Sequence, residues 1–171
     1  NDTETSEEAY MDVIRAKTAK LFAAASEIGA VVAERPAGEA EALESYGMNF
    51  GIAFQLVDDV LDYSAEQTKL GKTIGDDFRE GKITLPVIIA KRRGSDEDRL
   101  FWDRAMNPET QQDADLAHAV HLIRATGAAE ATIQEAEAYA ALAKGALRSL
   151  ESSPYRSALE DLADFCVSRA Y

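Results

Sequence analysis

Cysteine, proline and tryptophan are scarce in this chain of 171 residues, which has one cysteine, four prolines and one tryptophan. A single cysteine cannot build an internal disulfide framework or a cysteine-based zinc site. Cys166 lies in an apolar C-terminal run, so we interpret it as a reduced thiol of the core. The two histidines, His118 and His121, lie one turn apart on a predicted helix, but no third ligand is near them in the sequence, so a metal site is not expected there.

Basic residues are also in short supply. The 18 lysines and arginines are outnumbered by 31 aspartates and glutamates, which leaves a formal net charge of -13. Such a chain repels phosphates, and no basic patch with interleaved aromatic residues is present, so binding to nucleic acid is not expected. The apolar share of 46% is ordinary for a globular protein and too high for a disordered one.

Long apolar runs are absent as well. The longest uncharged stretch, Ser45 to Val57, is too short to span a bilayer, and no signal peptide is visible. These features predict a cytoplasmic protein without a transmembrane segment. Because the first residue is Asn1 rather than methionine, we interpret the chain as part of a longer protein.

Helical periodicity is present throughout the chain, and proline and glycine separate the periodic segments. Ser6 is a predicted N-cap, and Arg35–Pro36 is a predicted stop. No segment alternates with the period of a β-strand, so the sequence predicts one all-α domain over residues 1–171. The predicted helices are residues 6–34, 38–63, 84–93, 96–106, 111–126, 128–150 and 157–169.

A polar stripe interrupts the second predicted helix, which is otherwise apolar on every side. At about 100° per residue, Gln55 and the three aspartates Asp58, Asp59 and Asp62 fall on one side within an arc of about 100°. Burying such carboxylates without partners costs several kcal/mol each, roughly, so a cation is expected opposite them. Oxygen ligands favour a hard ion such as Mg²⁺. The alternative is a helix end turned to solvent, with hydrated acids.

Three lysines suggest an anionic ligand. Lys17 lies within the apolar stripe of the first predicted helix, where a buried ammonium needs an anionic partner. Lys72 and Lys82 each follow a glycine, which allows close approach of the backbone to a ligand. Taken singly each lysine fits a solvated surface position, but beside the aspartates they predict a polyanionic substrate such as a diphosphate. The apolar stripe of the first predicted helix, within which Lys17 lies, consists of Tyr10, Val13, Ile14, Leu21, Ala25, Ile28 and Val32.

Three motifs resemble those of the trans-isoprenyl diphosphate synthases, in the order and spacing of that family. Residues 51–62 read GxxFQxxDDxxD, which resembles the family's second aspartate-rich motif. Residues 71–86 read GKxxGxDxxxGKxTLP, and residues 17–30 read KTAxLFxxxxxxGA. The final segment, 162–171, is similar to the C-terminal ends of long-chain members. The resemblance implies the C-terminal part of an isoprenoid-synthase-type helical bundle, with the N-terminal helices missing.

The resemblance also implies a reaction. In the family, Mg²⁺ holds an allylic diphosphate, which ionises to an allylic carbocation; the double bond of isopentenyl diphosphate attacks the cation, and loss of a proton completes a five-carbon addition. A homodimer is implied too. The implied catalytic residues are Lys17, Thr18, Gln55 and Asp58. The implied diphosphate-binding residues are Lys17, Lys72 and Lys82. Asp58 is the implied main metal ligand, and Asp62 would bind the metal directly or through water. Asp59 is the third implied metal residue and would act mostly by supporting the other two.

The sequence departs from the family in one respect. The family has a first DDxxD motif about half a domain upstream, and nothing in residues 1–171 replaces it. We therefore expect residues 1–171 alone to be inactive, with a core open on one side. An alternative function is a non-catalytic partner subunit of a heteromeric synthase, although such subunits commonly have degraded aspartate motifs. A cyclase-like lyase and a purely structural helical module are further alternatives, and the glycine–lysine segment argues against the lyase.

Overall fold

The computed structural model describes residues 4–64 and 75–170, and the regular elements in these two ranges are all helical. The predicted all-α class is therefore confirmed. A π-helical segment, Arg15–Ala19, connects the first two helices, and a short 3₁₀ helix, Leu147–Ser149, follows the eighth. The α-helices are α1 (Glu7–Ile14), α2 (Lys20–Val32), α3 (Ala37–Leu61), α4 (Asp76–Arg79), α5 (Leu85–Arg93), α6 (Asp96–Ala105), α7 (Asp115–Ala125), α8 (Ala128–Ala146) and α9 (Pro154–Ser168).

Several helices begin where the sequence places a capping residue. The hydroxyl of Ser6 accepts a hydrogen bond from the N–H of Ala9 at 3.1 Å, so the predicted cap of α1 is confirmed. Ser95 and Asp98 form a reciprocal capping box at the start of α6. Helix α9 begins at Pro154, three residues before the predicted start, because proline suits the first turn of a helix.

The chain forms two compact units. Of the described residues, the first unit contains 4–11, 58–64 and 75–132. Its core includes Phe78, Leu85 and Trp102, each at most 1% exposed. The Arg104 guanidinium makes two hydrogen bonds of 2.7 Å to the buried Asp115 carboxylate, which joins α6 to α7.

The second unit contains residues 12–57 and 133–170. Two glycines of α3 allow the backbone of this helix to approach α2 and the π segment. A Cβ atom at Gly47 would lie 2.7 Å from the Cα of Ala23, and one at Gly51 would lie 2.7 Å from the Cα of Ala19. Phe22 contacts the ring of Phe50 with centroids 5.4 Å apart. The helices therefore pack through small residues at their closest approach.

The buried face of α2 differs from the one that the apolar stripe predicts. Leu21 and Val32 are 73% and 77% exposed, whereas Ala23 and Ala30 are buried. At the close approach that Gly47 and Gly51 permit, alanine fits and a branched side chain does not. The prediction of a buried Lys17 was also wrong, since Lys17 lies on the exposed face of the π segment. The other exposed members of the stripe are Val13, Ala25 and Ile28.

Candidate active site

Two aspartates in the last turn of α3 and a third directly after it, Asp62, lie in different environments. Asp59 is 2% exposed and Asp62 is 8% exposed, while Asp58 is half-buried. The neighbouring apolar residues Val60 and Leu61 are buried, as expected for a helix made for burial. A polar stripe on a buried helix end is therefore present, and the burial of Asp59 and Asp62 excludes the alternative of hydrated acids for these two.

Asp59 accepts a hydrogen bond from the hydroxyl of Tyr10, which is itself 5% exposed. Burial raises the pKa of Tyr10, and the charge of Asp59 raises it further, so the phenol stays protonated and donates. A buried carboxylate needs such a donor because it has lost the hydrogen bonds of water. The sequence did not predict this pairing, because Tyr10 counted as one member of an apolar stripe.

Asp62 holds the start of helix α4. Its two oxygens accept hydrogen bonds from the N–H groups of Asp76 and Asp77 at 3.1 and 3.0 Å. Gly75, which precedes α4, has φ = 80° and donates its N–H to the Asp62 carbonyl at 2.8 Å. Burial raises the pKa of the Asp62 carboxyl and the charge of Asp77 adds to this, while the two N–H donors act in the opposite direction. This carboxylate thus has a role in the local fold.

Asp58 differs from both neighbours. Its carboxylate makes no hydrogen bond to the residues that the structure describes, 4–64 and 75–170, and it is the least buried of the three. Of these carboxylates, Asp58 is therefore the one whose oxygens are most available to an external cation.

Lys82 lies beside the acids that α4 contributes. Its ammonium forms ion pairs of 2.7 Å with Asp77 and with Glu80, and its side chain is 47% exposed. The hydrogen bonds to these two carboxylates raise the pKa of Lys82, so it is a cation at neutral pH. The backbone of Asp77 binds Asp62 while its side chain binds Lys82, and a cation is thus held near the carboxylates. Lys72 lies outside the described residues.

Two buried hydroxyl groups near these acids were also missed by the sequence interpretation. The hydroxyls of Tyr63 and Thr84 are both buried, and the two side chains interact with each other. Burial raises the pKa of Tyr63 well above its usual range, and the charges of Asp62, Asp77 and Asp59 raise it further. The interaction with Thr84 acts in the opposite direction and lowers this pKa.

In the second unit, Thr18 and Gln55 form a pair. The Thr18 hydroxyl donates a hydrogen bond to Oε1 of Gln55 at 3.0 Å. Thr18 and the exposed Lys17 both lie on the π-helical segment Arg15–Ala19, whose wider turn is of a kind that often marks functional sites. The sequence analysis did not predict this irregularity. Helix α2 continues without interruption through Gly29.

The structure does not contain a preformed multi-ligand metal cluster in the part it describes. Among these residues, no group of three or more His, Cys, Asp or Glu side chains is close enough to hold an ion. His118 instead packs edge-to-face on Phe101, with ring centroids 4.5 Å apart. Any divalent cation at Asp58 would take other ligands from water or from a bound phosphate, which is the usual mode of Mg²⁺ binding.

Comparison with known proteins establishes the family. The model of the polyprenyl synthetase family matches residues 1–123, more than half of the chain. The chain belongs to the polyprenyl synthetase family. The resemblance of the three motifs is thereby confirmed. Among the described residues, no helix has both the length and the apolar character needed to cross a bilayer.

Curated members of the polyprenyl synthetase family match almost the whole chain. It is 40% identical over 169 residues to an octaprenyl diphosphate synthase of Escherichia coli, covering 99% of this chain and 52% of that protein. It is 36% identical over 166 residues to an all-trans-nonaprenyl-diphosphate synthase of Rhodobacter capsulatus, covering 97% of this chain and 50% of that protein. The chain thus spans about half the length of the curated relatives it matches.

Solved structures of the family show the same fold. A polyprenyl synthase from Caulobacter crescentus, crystallised with calcium and isoprenyl diphosphate, superposes with a TM-score of 0.94 at 49% identity, covering 99% of this chain and 52% of that one. A decaprenyl diphosphate synthase from Rhodobacter capsulatus gives a TM-score of 0.91 at 44% identity, with the same coverage of both chains. The predicted isoprenoid-synthase-type bundle is therefore confirmed.

Proposed function

We propose that this chain provides the second aspartate-rich half of a Mg²⁺-dependent trans-prenyltransferase. The reaction would condense isopentenyl diphosphate with an allylic prenyl diphosphate into a long-chain polyprenyl diphosphate. The observation that carries the proposal is the aspartate turn of α3, where two buried carboxylates are bound by the protein and Asp58 remains available. The octaprenyl, nonaprenyl and decaprenyl synthases among the relatives support the product class.

The residues present fit a divalent cation. Asp58 offers a half-buried carboxylate that makes no hydrogen bond to the described side chains. Oxygen is the ligand that Mg²⁺ prefers. When bound, Mg²⁺ would neutralise the negative charge that develops on a leaving diphosphate. Asp59 and Asp62 would support the Asp58 turn, since their oxygens already accept hydrogen bonds from the protein.

The remaining roles concern the diphosphate and the allylic cation. Lys17, Lys72 and Lys82 would bind the diphosphate, and the ion pairs of Lys82 with Asp77 and Glu80 keep that ammonium charged. Thr18 and Gln55 would direct oxygen atoms toward the carbocation. Their hydrogen bond of 3.0 Å orients both side chains before a substrate arrives.

The encoded protein can be assayed directly by incorporation of labelled isopentenyl diphosphate with a short allylic primer. The proposal predicts Mg²⁺-dependent formation of long-chain products, which thin-layer chromatography would resolve by length. Mg²⁺-dependent activity that appears only after a second, different chain is added would instead support the partner-subunit alternative. Products without a diphosphate would favour the lyase.

Replacement of Lys72 by alanine tests the glycine–lysine segment. We expect the KM for the allylic diphosphate to rise about tenfold or more with a smaller change in kcat, because loss of an ammonium that binds the ground state weakens substrate binding. Lys69→Ala, which removes a nearby lysine outside the motif, serves as the matched control. An unchanged KM for Lys72→Ala would remove this residue from the site.

The predicted homodimer is a further part of the proposal. Sedimentation equilibrium of the encoded protein should give twice the mass of one chain. Sedimentation as a monomer at assay concentration would contradict the dimer but leave the catalytic proposal intact. Location in the cytoplasm stays a prediction, which fractionation of the source cells would test.

A further inference from the structure

Tyr10 lies outside the motifs that identify the family, yet it contacts the aspartate turn directly. We propose that Tyr10 is a positioning residue, whose hydroxyl holds Asp59 and thereby sets the direction in which Asp58 presents its carboxylate to a divalent cation. This inference rests on the proposed function, because it assigns Tyr10 a role in the binding of that cation.

The contact between Tyr10 and Asp59 is built into the interior of the first unit. Tyr10 is 5% exposed and Asp59 is 2% exposed, and the hydroxyl of the tyrosine donates to Oδ2 of the aspartate. The two residues are 49 positions apart in the sequence, so the contact exists only because α1 packs on the end of α3. The hydroxyl thus supplies one of the polar contacts that a buried carboxylate needs.

Helix α1 is itself held in place by charged contacts with α5. Arg92 forms an ion pair of 2.9 Å with Glu7. Just before α1, Glu4 pairs with Lys91 at 2.8 Å, and Lys91 also pairs with Asp103 of α6 at 2.7 Å. These surface ion pairs connect the segment that carries Tyr10 to α5, while the burial of Tyr10 itself fixes the position of the phenol.

The geometry of the helix transmits the constraint. Successive side chains of an α-helix point about 100° apart. When the Asp59 side chain is held by Tyr10, the rotation of the last turn of α3 is set, and the direction of Asp58 follows. Asp62, one turn further on, is held independently by the N–H groups of Asp76 and Asp77. Asp58 thus lies between two restrained carboxylates.

The test compares two tyrosines on matched contacts. Tyr10→Phe removes the hydroxyl that binds Asp59. Tyr46→Phe is the control, because Tyr46 is also buried, at 2% exposure, and its hydroxyl donates to the Leu159 carbonyl at 2.9 Å from a position about three turns before Asp58. In the encoded protein, binding of Mn²⁺ in the presence of inorganic diphosphate would be titrated by electron paramagnetic resonance, with melting temperature recorded alongside.

We expect Tyr10→Phe to raise the Kd for Mn²⁺ about tenfold, the loss typical of residues that orient metal ligands. Tyr46→Phe should lower the melting temperature but leave this Kd within about twofold of the unmodified protein, since it touches no ligand. An unchanged Kd in Tyr10→Phe, or an equal rise in Tyr46→Phe, would overturn the inference.

A double-mutant cycle provides a second readout that does not depend on the stability of one variant. If Tyr10 acts through Asp59, then Tyr10→Phe should have no further effect on the Kd in an Asp59→Ala background, which lacks an acceptor for the tyrosine hydroxyl. Additive effects would overturn the inference. If the unmodified protein binds Mn²⁺ and makes prenyl products while Tyr10→Phe behaves identically, only the positioning role fails. If the unmodified protein binds no Mn²⁺ with diphosphate, the proposed function fails first, and the positioning role with it.

Discussion

Replacement of Asp58 by alanine should lower the turnover of the encoded protein at least about a hundredfold, the loss expected when a key electrostatic stabiliser is removed. The expectation follows from the different contacts that the three neighbouring aspartates make. Asp59 and Asp62 are buried and already accept hydrogen bonds from Tyr10 and from the backbone of α4. Neither can replace Asp58 without losing those contacts. The measurement is incorporation of labelled isopentenyl diphosphate at saturating substrate and Mg²⁺.

The effect of Asp58→Ala must be separated from a loss of folding. Because Asp58 is half-buried and its carboxylate makes no hydrogen bond to the described side chains, its replacement should change the melting temperature little. Asp161→Ala, at an exposed position of α9, removes a carboxylate of the same size and charge and should leave turnover unchanged. Near-normal incorporation by Asp58→Ala would contradict the role that we assign to this residue.

Replacement of Gly47 by alanine should have the largest effect on stability. The new Cβ would lie 2.7 Å from the Cα of Ala23 and closer still to the carbonyl oxygen of Phe22. Both neighbours are backbone atoms, so relief requires α2 and α3 to separate, and overpacking of this kind costs about 1–3 kcal/mol. For a chain of this length we expect a fall in melting temperature of about 2–12 °C, measured by circular dichroism.

Gly29→Ala is the matched control for Gly47→Ala. Gly29 also lies within a helix, and a Cβ atom there would have no other atom within 4 Å. Alanine has the higher helix propensity, so this variant should be more stable by about 0.5–1 kcal/mol. Helix propensity favours alanine at both positions, so a similar loss of stability in both variants would contradict the role that we assign to the close approach of α2 to α3.

Local signals in the sequence predicted most helix boundaries to within a few residues. Ser6 caps α1 as expected, and α5 begins after Thr84 with Pro86 in its first turn. Such signals act over three or four residues, so they can be recognised in the sequence without knowledge of the fold. The segment before α5 was different: its described part contains the short helix α4, which depends on the Asp62 carboxylate from outside the segment.

The face that a helix buries was harder to predict. In α2 the large apolar residues are exposed and the alanines are buried, although hydrophobicity alone predicts the reverse. Gly47 and Gly51 decide this, because they set how closely the backbones approach. The same reversal placed Lys17 on an exposed surface. Hydrophobic periodicity identified the helix correctly but not its orientation, since the space available depends on the partner helix.

The sequence by itself determined an all-helical chain, its membership of the polyprenyl synthetase family and the helix that carries the aspartates. Periodicity, capping and motif spacing are properties of short segments, which is why they could be read directly. Only the tertiary structure decided which aspartate remains available. Tyr10 meets Asp59, and the backbone of α4 meets Asp62, through contacts between residues 14 to 49 positions apart. Such contacts form only when the helices pack together, so the partner of each aspartate cannot be identified from its neighbours in the sequence.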